Sequence, residues 1–205
     1  MWRLFRPLRY FGLRNREKTI IDVVGTLVIA VVVLVPFLIF PEASFFRAGG
    51  FLDRLIGLLS ALTGFFVAAL VAAATFAHPD LDREMTNGAV EMKVSDGKSY
   101  TWQRLTRREL ACAIFGYLSF AAFLLSVAAA MIVPIATATT SHPWFMPPEW
   151  MAVISKYRDG FRIFAMVLVI VPLSHLMTAT GLGIFYLMDR LHHRRPVIVS
   201  RADAA

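Results

Sequence analysis

Four long apolar stretches constrain this chain more than any other feature of its sequence. They cover residues 20–40, 55–77, 110–135 and 163–188, and each exceeds the roughly 20 apolar residues that a helix needs to cross a hydrocarbon core of about 30 Å. Hydrophobic residues make up 58 % of the chain, whereas a soluble domain has about 45 to 50 %. The sequence therefore predicts an all-α membrane protein with four transmembrane helices.

Lysine and arginine are distributed unevenly around these stretches. Sixteen of the 21 lie in segments 1–18, 78–108 and 190–205, and the other five lie in or beside the loops at 41–50 and 137–160. Basic residues collect on the cytoplasmic side of a membrane, so both termini and segment 78–108 are predicted to be cytoplasmic. Membrane topology thus accounts for the net charge of +7, and no direct nucleic-acid binding is expected.

The predicted organisation has five parts: a basic tail over 1–18, the first three helices over 19–136, an outer aromatic loop over 137–160, the fourth helix over 161–189 and a basic tail over 190–205. The composition of the helices, rich in Ala, Val and Leu, indicates a bacterial inner membrane. The apolar run after the first tail is too long for a cleaved signal peptide. Cys112 is the single cysteine, which excludes an intrachain disulfide.

The first tail interleaves aromatic residues with arginines. A helix here would act as an interfacial anchor on membrane lipids, and a solvated basic tail is the alternative. Asp22 lies one turn after Lys18, so an ion pair that reaches the membrane surface is expected. The short connection at 41–50 predicts that the first two spans are antiparallel neighbours.

Small residues recur at intervals of three and four along the second and third stretches. This spacing allows close helix packing in lipid and favours a homo-oligomer, although the partner helix could belong to the same chain. A pore lining is the alternative reading. The seam comprises Gly57, Ala61, Gly64, Ala68 and Ala72 in the second stretch, and Gly116 and Ser119 in the third.

Segment 78–108 contains two runs of alternating apolar and polar residues on either side of Ser95-Asp96-Gly97. A three-residue loop would pair Met92 with Tyr100 and Val90 with Trp102 and collect the apolar residues on one face. The sequence therefore predicts a small cytoplasmic β-hairpin with a docking face for another subunit, a protein partner or headgroups. That face would comprise Val90, Met92, Val94, Tyr100 and Trp102.

Two further features lie at the ends of the third stretch. Thr106 and Glu109 have the spacing of a capping box at the start of its helix. Trp144, Phe145 and Trp150 in the outer loop predict an interfacial aromatic belt, with a ligand-recognition surface as the alternative.

His175 lies near the middle of the fourth stretch with Ser174 and Thr178 close by. An ionisable residue at bilayer depth is a candidate functional group, here a gate, a proton relay or a ligand contact. The alternative is a neutral imidazole hydrogen-bonded to Thr178 or to backbone freed by Pro172. A proton relay needs a second titratable group, and the sequence suggests none at this depth.

Evidence for catalysis is weak in the sequence. His78, Asp80 and Asp82 are possible metal ligands, but the signal is weak. Pro79 breaks the helix, Asp80 and Asp82 do not share a helix face, and a polar helix exit explains all three residues. The recurrent motifs for nucleotide binding, zinc hydrolysis and acyl transfer do not occur. We therefore expect no enzyme activity, no cofactor and no metal.

These features favour a non-enzymatic inner-membrane oligomer that couples an event at the envelope to a cytoplasmic protein partner. The size and four-span layout resemble the membrane component of bacterial antiphage systems of the Kiwa type. That resemblance implies a tetramer that responds to phage attachment and works with a soluble DNA-binding partner. The alternative is an oligomeric channel or abortive-infection effector; a transporter lacks matching broken helices in two halves.

Overall fold

A computed structural model describes residues 7, 10–13, 16–40, 42–76, 81–82, 91–95, 100–141 and 157–192. The helices are α1 (Arg16–Ile39), α2 (Phe51–Thr75), α3 (Arg107–Ser141) and α4 (Arg158–His192). All four are long and apolar enough to cross a membrane. The prediction of a multi-pass helical membrane protein is therefore confirmed.

The helices pack as two pairs. Helix α1 packs on α4, α2 packs on α3, and α3 also contacts α4. Helices α1 and α2 do not pack along each other, so the prediction that their short connection makes them neighbours is wrong. A short loop brings together only the helix ends that it joins.

The connection between α1 and α2 has an aromatic core of its own. Phe45 is buried and its ring lies 5.0 Å from that of Phe37 and 5.4 Å from that of Phe51. Gly50 is required for this turn, because a Cβ there would lie 2.6 Å from the carbonyl oxygen of Ser44. The C-terminal end of α1 and the N-terminal end of α2 are thus joined through a packed loop.

Two sets of hydrogen bonds fix the start of α3. The backbone N–H of Thr106 donates to Glu109 Oε2 at 2.9 Å, and the N–H of Glu109 donates to Thr106 Oγ1 at 3.2 Å. The predicted capping box is therefore confirmed. Arg108 donates to Asp82 Oδ1 at 2.8 Å and to the carbonyl oxygen of Ala74 at 3.1 Å, which ties the end of α2 to the start of α3.

The register predicted for the β-hairpin between α2 and α3 is wrong. Two five-residue strands, β1 (Glu91–Ser95) and β2 (Tyr100–Arg104), pair antiparallel, but their register places Met92 opposite Gln103 and Trp102 opposite Lys93. Residues 96–99 separate the strands, where the prediction had residues 95–97, and the partner of Met92 therefore moves by three positions, from Tyr100 to Gln103.

The consequence is that the predicted docking face does not form. Paired residues of an antiparallel ladder share a face. Because Met92 and Val94 pair with Gln103 and Thr101, they lie on the face opposite to that of Tyr100 and Trp102. Val90, the fifth member, lies outside the described residues. The fold class is corrected accordingly to four helices without an apolar hairpin face.

Candidate functional site

A buried ion pair lies at one end of α1. The Nζ of Lys18 is 3.0 Å from Asp22 Oδ2, and the two side chains are 6 % and 10 % exposed. The predicted pairing of these residues is confirmed, but the pair lies inside the protein and does not reach the surface as expected. Burying two charges is costly unless further hydrogen bonds complete their surroundings, so the neighbours of this pair decide its stability.

The N-terminal segment, residues 10–13, supplies those neighbours. The hydroxyl of Tyr10 donates to both carboxylate oxygens of Asp22, at 3.0 and 3.2 Å, and the Nζ of Lys18 donates to the carbonyl oxygen of Tyr10 at 3.2 Å. Lys18 Nζ also lies 3.7 Å from the centre of the Tyr10 ring. Hydrogen bonds to charged groups contribute about 1.5 to 3 kcal/mol each, so Tyr10 is a main support of the ion pair.

Tyr10 joins the ion pair to the middle of the bundle. Its ring is fully buried and stacks on that of Tyr117 in α3, with a centroid distance of 4.6 Å and an angle of 9° between the planes. Such ring pairs add about 0.5 to 1.5 kcal/mol beyond the area they bury. The described part of the basic tail is therefore seated among the helices, whereas the sequence predicted its aromatic residues among the acyl chains.

His175 of α4 is the next member of this arrangement. The hydroxyl oxygen of Tyr117 lies 2.7 Å from His175 Nδ1, a short hydrogen bond in which the tautomer of the imidazole decides the donor. The ring of Phe11 lies 5.3 Å from the imidazole. The N-terminal segment thus covers the histidine as well as the ion pair, and we call Tyr10, Lys18, Asp22, Tyr117 and His175 the polar cluster.

The polar neighbours predicted for His175 have other roles. The hydroxyl of Thr178 donates to the carbonyl oxygen of Ser174 at 2.9 Å, so the predicted bond from His175 to Thr178 is not the one found. Ser174 is fully buried, and its hydroxyl has no hydrogen-bond partner within the described residues. Thr178 packs against Gly25 of α1, where a Cβ would lie 2.7 Å from Thr178 Cγ2.

The expectation that His175 has no titratable neighbour at its depth is wrong. Tyr117 lies ten residues after the start of α3 and His175 lies ten residues before Phe185, where the fourth candidate span ends. Both residues are therefore about 15 Å along their antiparallel helices from the same side. Matching the depth of polar residues on neighbouring spans would have suggested this pair.

The chemistry of the polar cluster is proton transfer and charge pairing. A carboxylate, an ammonium group, two phenols and an imidazole lie within one connected set of contacts. Within the described residues, no group of three His, Cys, Asp or Glu side chains is arranged to hold a metal ion. The groups of the cluster are suited to charge pairing and to proton exchange.

Asp82 of the proposed metal group has a structural partner. The hydrogen bond from Arg108 holds the pKa of its carboxyl below the usual value. His78 and Asp80 lie outside the described residues. The carboxylate of Asp82 is engaged by a guanidinium group, which leaves it a poor metal ligand.

The predicted packing seams have different surroundings in the two helices. On α2 the small residues are all exposed, and a Cβ added at Gly57 or Gly64 would meet no atom within 4 Å. On α3, Gly116 and Ser119 are half-buried. Helix α2 packs on α3 through its other side, with Leu55, Leu59 and Phe66 buried. We call Gly57, Ala61, Gly64, Ala68 and Ala72 the small-residue face.

The remaining sequence candidates are the aromatic residues of segment 137–160. Trp144, Phe145 and Trp150 lie outside the described residues.

A cavity of about 150 Å³ lies in the other half of the bundle, between α2, α3 and α4. Its ten lining residues are all apolar: Leu52, Leu55, Leu59, Leu125, Ala128, Ala129, Ile132, Leu168, Val169 and Leu173.

Comparison with known proteins gives no relative on which a function could be based. No family model, no curated protein and no solved structure matches this chain.

Proposed function

We propose that this chain is a non-enzymatic protein of the bacterial inner membrane that couples a change on the outer side to a cytoplasmic partner. The polar cluster is the single observation that carries the proposal. It links the N-terminal segment to α1, α3 and α4 through hydrogen bonds and ring contacts. A movement of α4 against α1 would therefore change the surroundings of the N-terminal segment.

The orientation follows from charge. With sixteen of the 21 basic residues in segments 1–18, 78–108 and 190–205, the N-terminal segment and the ion pair lie on the cytoplasmic side. Reporter fusions after Arg201 and within 141–148 should report cytoplasm and exterior, respectively, and the reverse pattern would contradict the orientation.

A homo-oligomer is part of the proposal. Close helix approach in lipid depends on small side chains, and the small-residue face of α2 is exposed in a single copy. We place a second copy there. Gly64→Leu should lower the number of copies measured by mass in nanodiscs, whereas a single copy in the unaltered protein would contradict the oligomer.

A role in antiphage defence is the biological setting that we propose. It is supported by the likeness in layout to the membrane component of Kiwa-type systems, a protein that responds to phage attachment. A channel is less well supported, because the lining of the described cavity is wholly apolar and offers no ligands to an ion.

The test places the gene and its flanking genes in a phage-sensitive bacterium and measures plating efficiency. The unaltered locus should reduce plating at least tenfold for some phages. His175→Ala should abolish this protection at an unchanged membrane level, and Gly181→Ala, at an open position of the same helix, should retain it. An unprotective locus would contradict the defence role, and protection that survives His175→Ala would contradict coupling through the polar cluster.

A further inference from the structure

The N-terminal segment is held in its seat by two side chains. Tyr10 is 0 % exposed and Leu13 is 4 % exposed, whereas Phe11 between them is 60 % exposed. The segment consists of a single 3₁₀ turn, in which the N–H of Leu13 donates to the carbonyl oxygen of Tyr10 at 3.2 Å. A 3₁₀ turn has weak internal hydrogen bonds, so the position of these residues depends on the contacts of Tyr10 and Leu13.

The contacts of Tyr10 link the position of the N-terminal segment to the burial of the ion pair. Both its hydroxyl and its carbonyl oxygen are bonded to the ion pair of Lys18 and Asp22. If the segment leaves, these two polar contacts are lost, and water must replace them around the charged groups. Water solvates an ion pair well, so the exchange is between two satisfied arrangements: one dry and capped by Tyr10, the other hydrated and open.

Two further effects oppose each other in the N-terminal segment: ring stacking and conformational entropy. Stacking on Tyr117 favours the seated segment, while the conformational entropy of the freed residues favours release. Attraction and entropy thus oppose each other over a few residues. This balance is the requirement for a two-state element that ligands or neighbouring helices can bias.

We propose that residues 10–13 are a reversible latch. Its release exposes the rest of the polar cluster, between α1, α3 and α4, to water. In the released state the imidazole of His175 and the hydroxyl of Tyr117 lose the cover of Phe11 and Tyr10. The latch deepens the proposed function by naming the element that moves, and it rests on that function for its purpose. Its geometry is testable without any phage.

The test measures the reaction of single cysteines with a water-soluble maleimide in the full chain in nanodiscs. Cys112 is replaced by Ser, and Leu13→Cys reports on the seat. Ala48→Cys, at an exposed position between the first two candidate spans, is the reactive control. Phe45→Cys, 2 % exposed at the opposite end of the bundle, reports on overall folding. Each reporter is measured with Tyr10, with Tyr10→Phe and with Tyr10→Ala.

The latch predicts that Leu13→Cys reacts slowly but completely beside Tyr10, and at least tenfold faster beside Tyr10→Ala, while Phe45→Cys stays protected. Tyr10→Phe keeps the stacked ring and loses the bond to Asp22, so its rate should fall between. Equal rates with Tyr10 and Tyr10→Ala would overturn the latch. So would complete protection beside Tyr10, and so would parallel exposure of Phe45→Cys, which would make the segment a fixed part of the fold.

Discussion

Lys18 and Asp22 are the residues at which this structure departs most from an ordinary transmembrane helix. Their side chains are almost fully buried, and a buried pair is a weak source of net stability because desolvation offsets the attraction. Its presence is explained better by the contacts that it makes with the N-terminal segment. The pair gives that segment a charged point of attachment within the bundle.

Breaking the pair should be far more damaging than replacing it. Asp22→Ala leaves the Lys18 ammonium buried without its carboxylate, and we expect a loss of about 3 to 5 kcal/mol in the free energy of unfolding. Lys18→Met combined with Asp22→Leu removes both charges and should lie much closer to the unaltered protein. Reversible unfolding in mixed micelles measures both, and equal stability of the single variant and the unaltered chain would refute the buried-pair account.

Sequence patterns predicted individual polar residues better than their partners. Hydropathy singled out His175, and a spacing of four predicted the contact between Lys18 and Asp22. The hydrogen bond from His175 to Tyr117 and the seat of Tyr10 depend on which helices pack together. Tyr117 and His175 are 58 positions apart in the chain, and local sequence patterns do not predict contacts over such a separation.

At the scale of the helices, Gly25 of α1 lies directly against Thr178 of α4. A Cβ at Gly25 would lie 2.7 Å from Thr178 Cγ2, and a β-branched side chain has little freedom to move aside. At Gly181 of α4, by contrast, an added Cβ would meet no atom within 4 Å. The two glycine environments allow a matched comparison.

Gly25→Ala should therefore destabilise the protein by about 1 to 3 kcal/mol through overpacking. Gly181→Ala should cause no loss, because its Cβ enters open space and Ala favours the helix. Adding Thr178→Ser, which removes Cγ2 and keeps the hydroxyl bonded to Ser174, should restore the Gly25→Ala variant. Thermal unfolding in detergent measures the series, and equal effects at both glycines would contradict the close contact between α1 and α4.

The elements differ in how well the sequence determined them. The four helices follow from hydropathy, and the start of α3 follows from its capping box. The register of β1 and β2 did not follow, because a change of one residue in loop length alters every pair. Helix pairing was also missed at the first connection, since the length of a loop says nothing about packing along the helices.

Considered as a whole, the molecule is two helix pairs that share a polar cluster on one side and an apolar cavity on the other. The cluster lies between α1, α3 and α4, where the N-terminal segment is seated. The cavity lies between α2, α3 and α4 and offers apolar walls only. The part of the bundle suited to respond to charge is thus the part that contacts the N-terminal segment.

The most direct test of this account is where the N-terminal segment lies in a native membrane. A photoreactive amino acid at Phe11, whose ring lies 5.2 Å from that of Tyr117 and 5.3 Å from that of His175, is activated in membrane vesicles, and the adducts are mapped by mass spectrometry. We predict adducts on the peptides of α3 and α4 that contain Tyr117 and His175, with their yield reduced by Tyr10→Ala. Adducts confined to lipid or to other proteins would contradict the seated segment and, with it, coupling through the polar cluster.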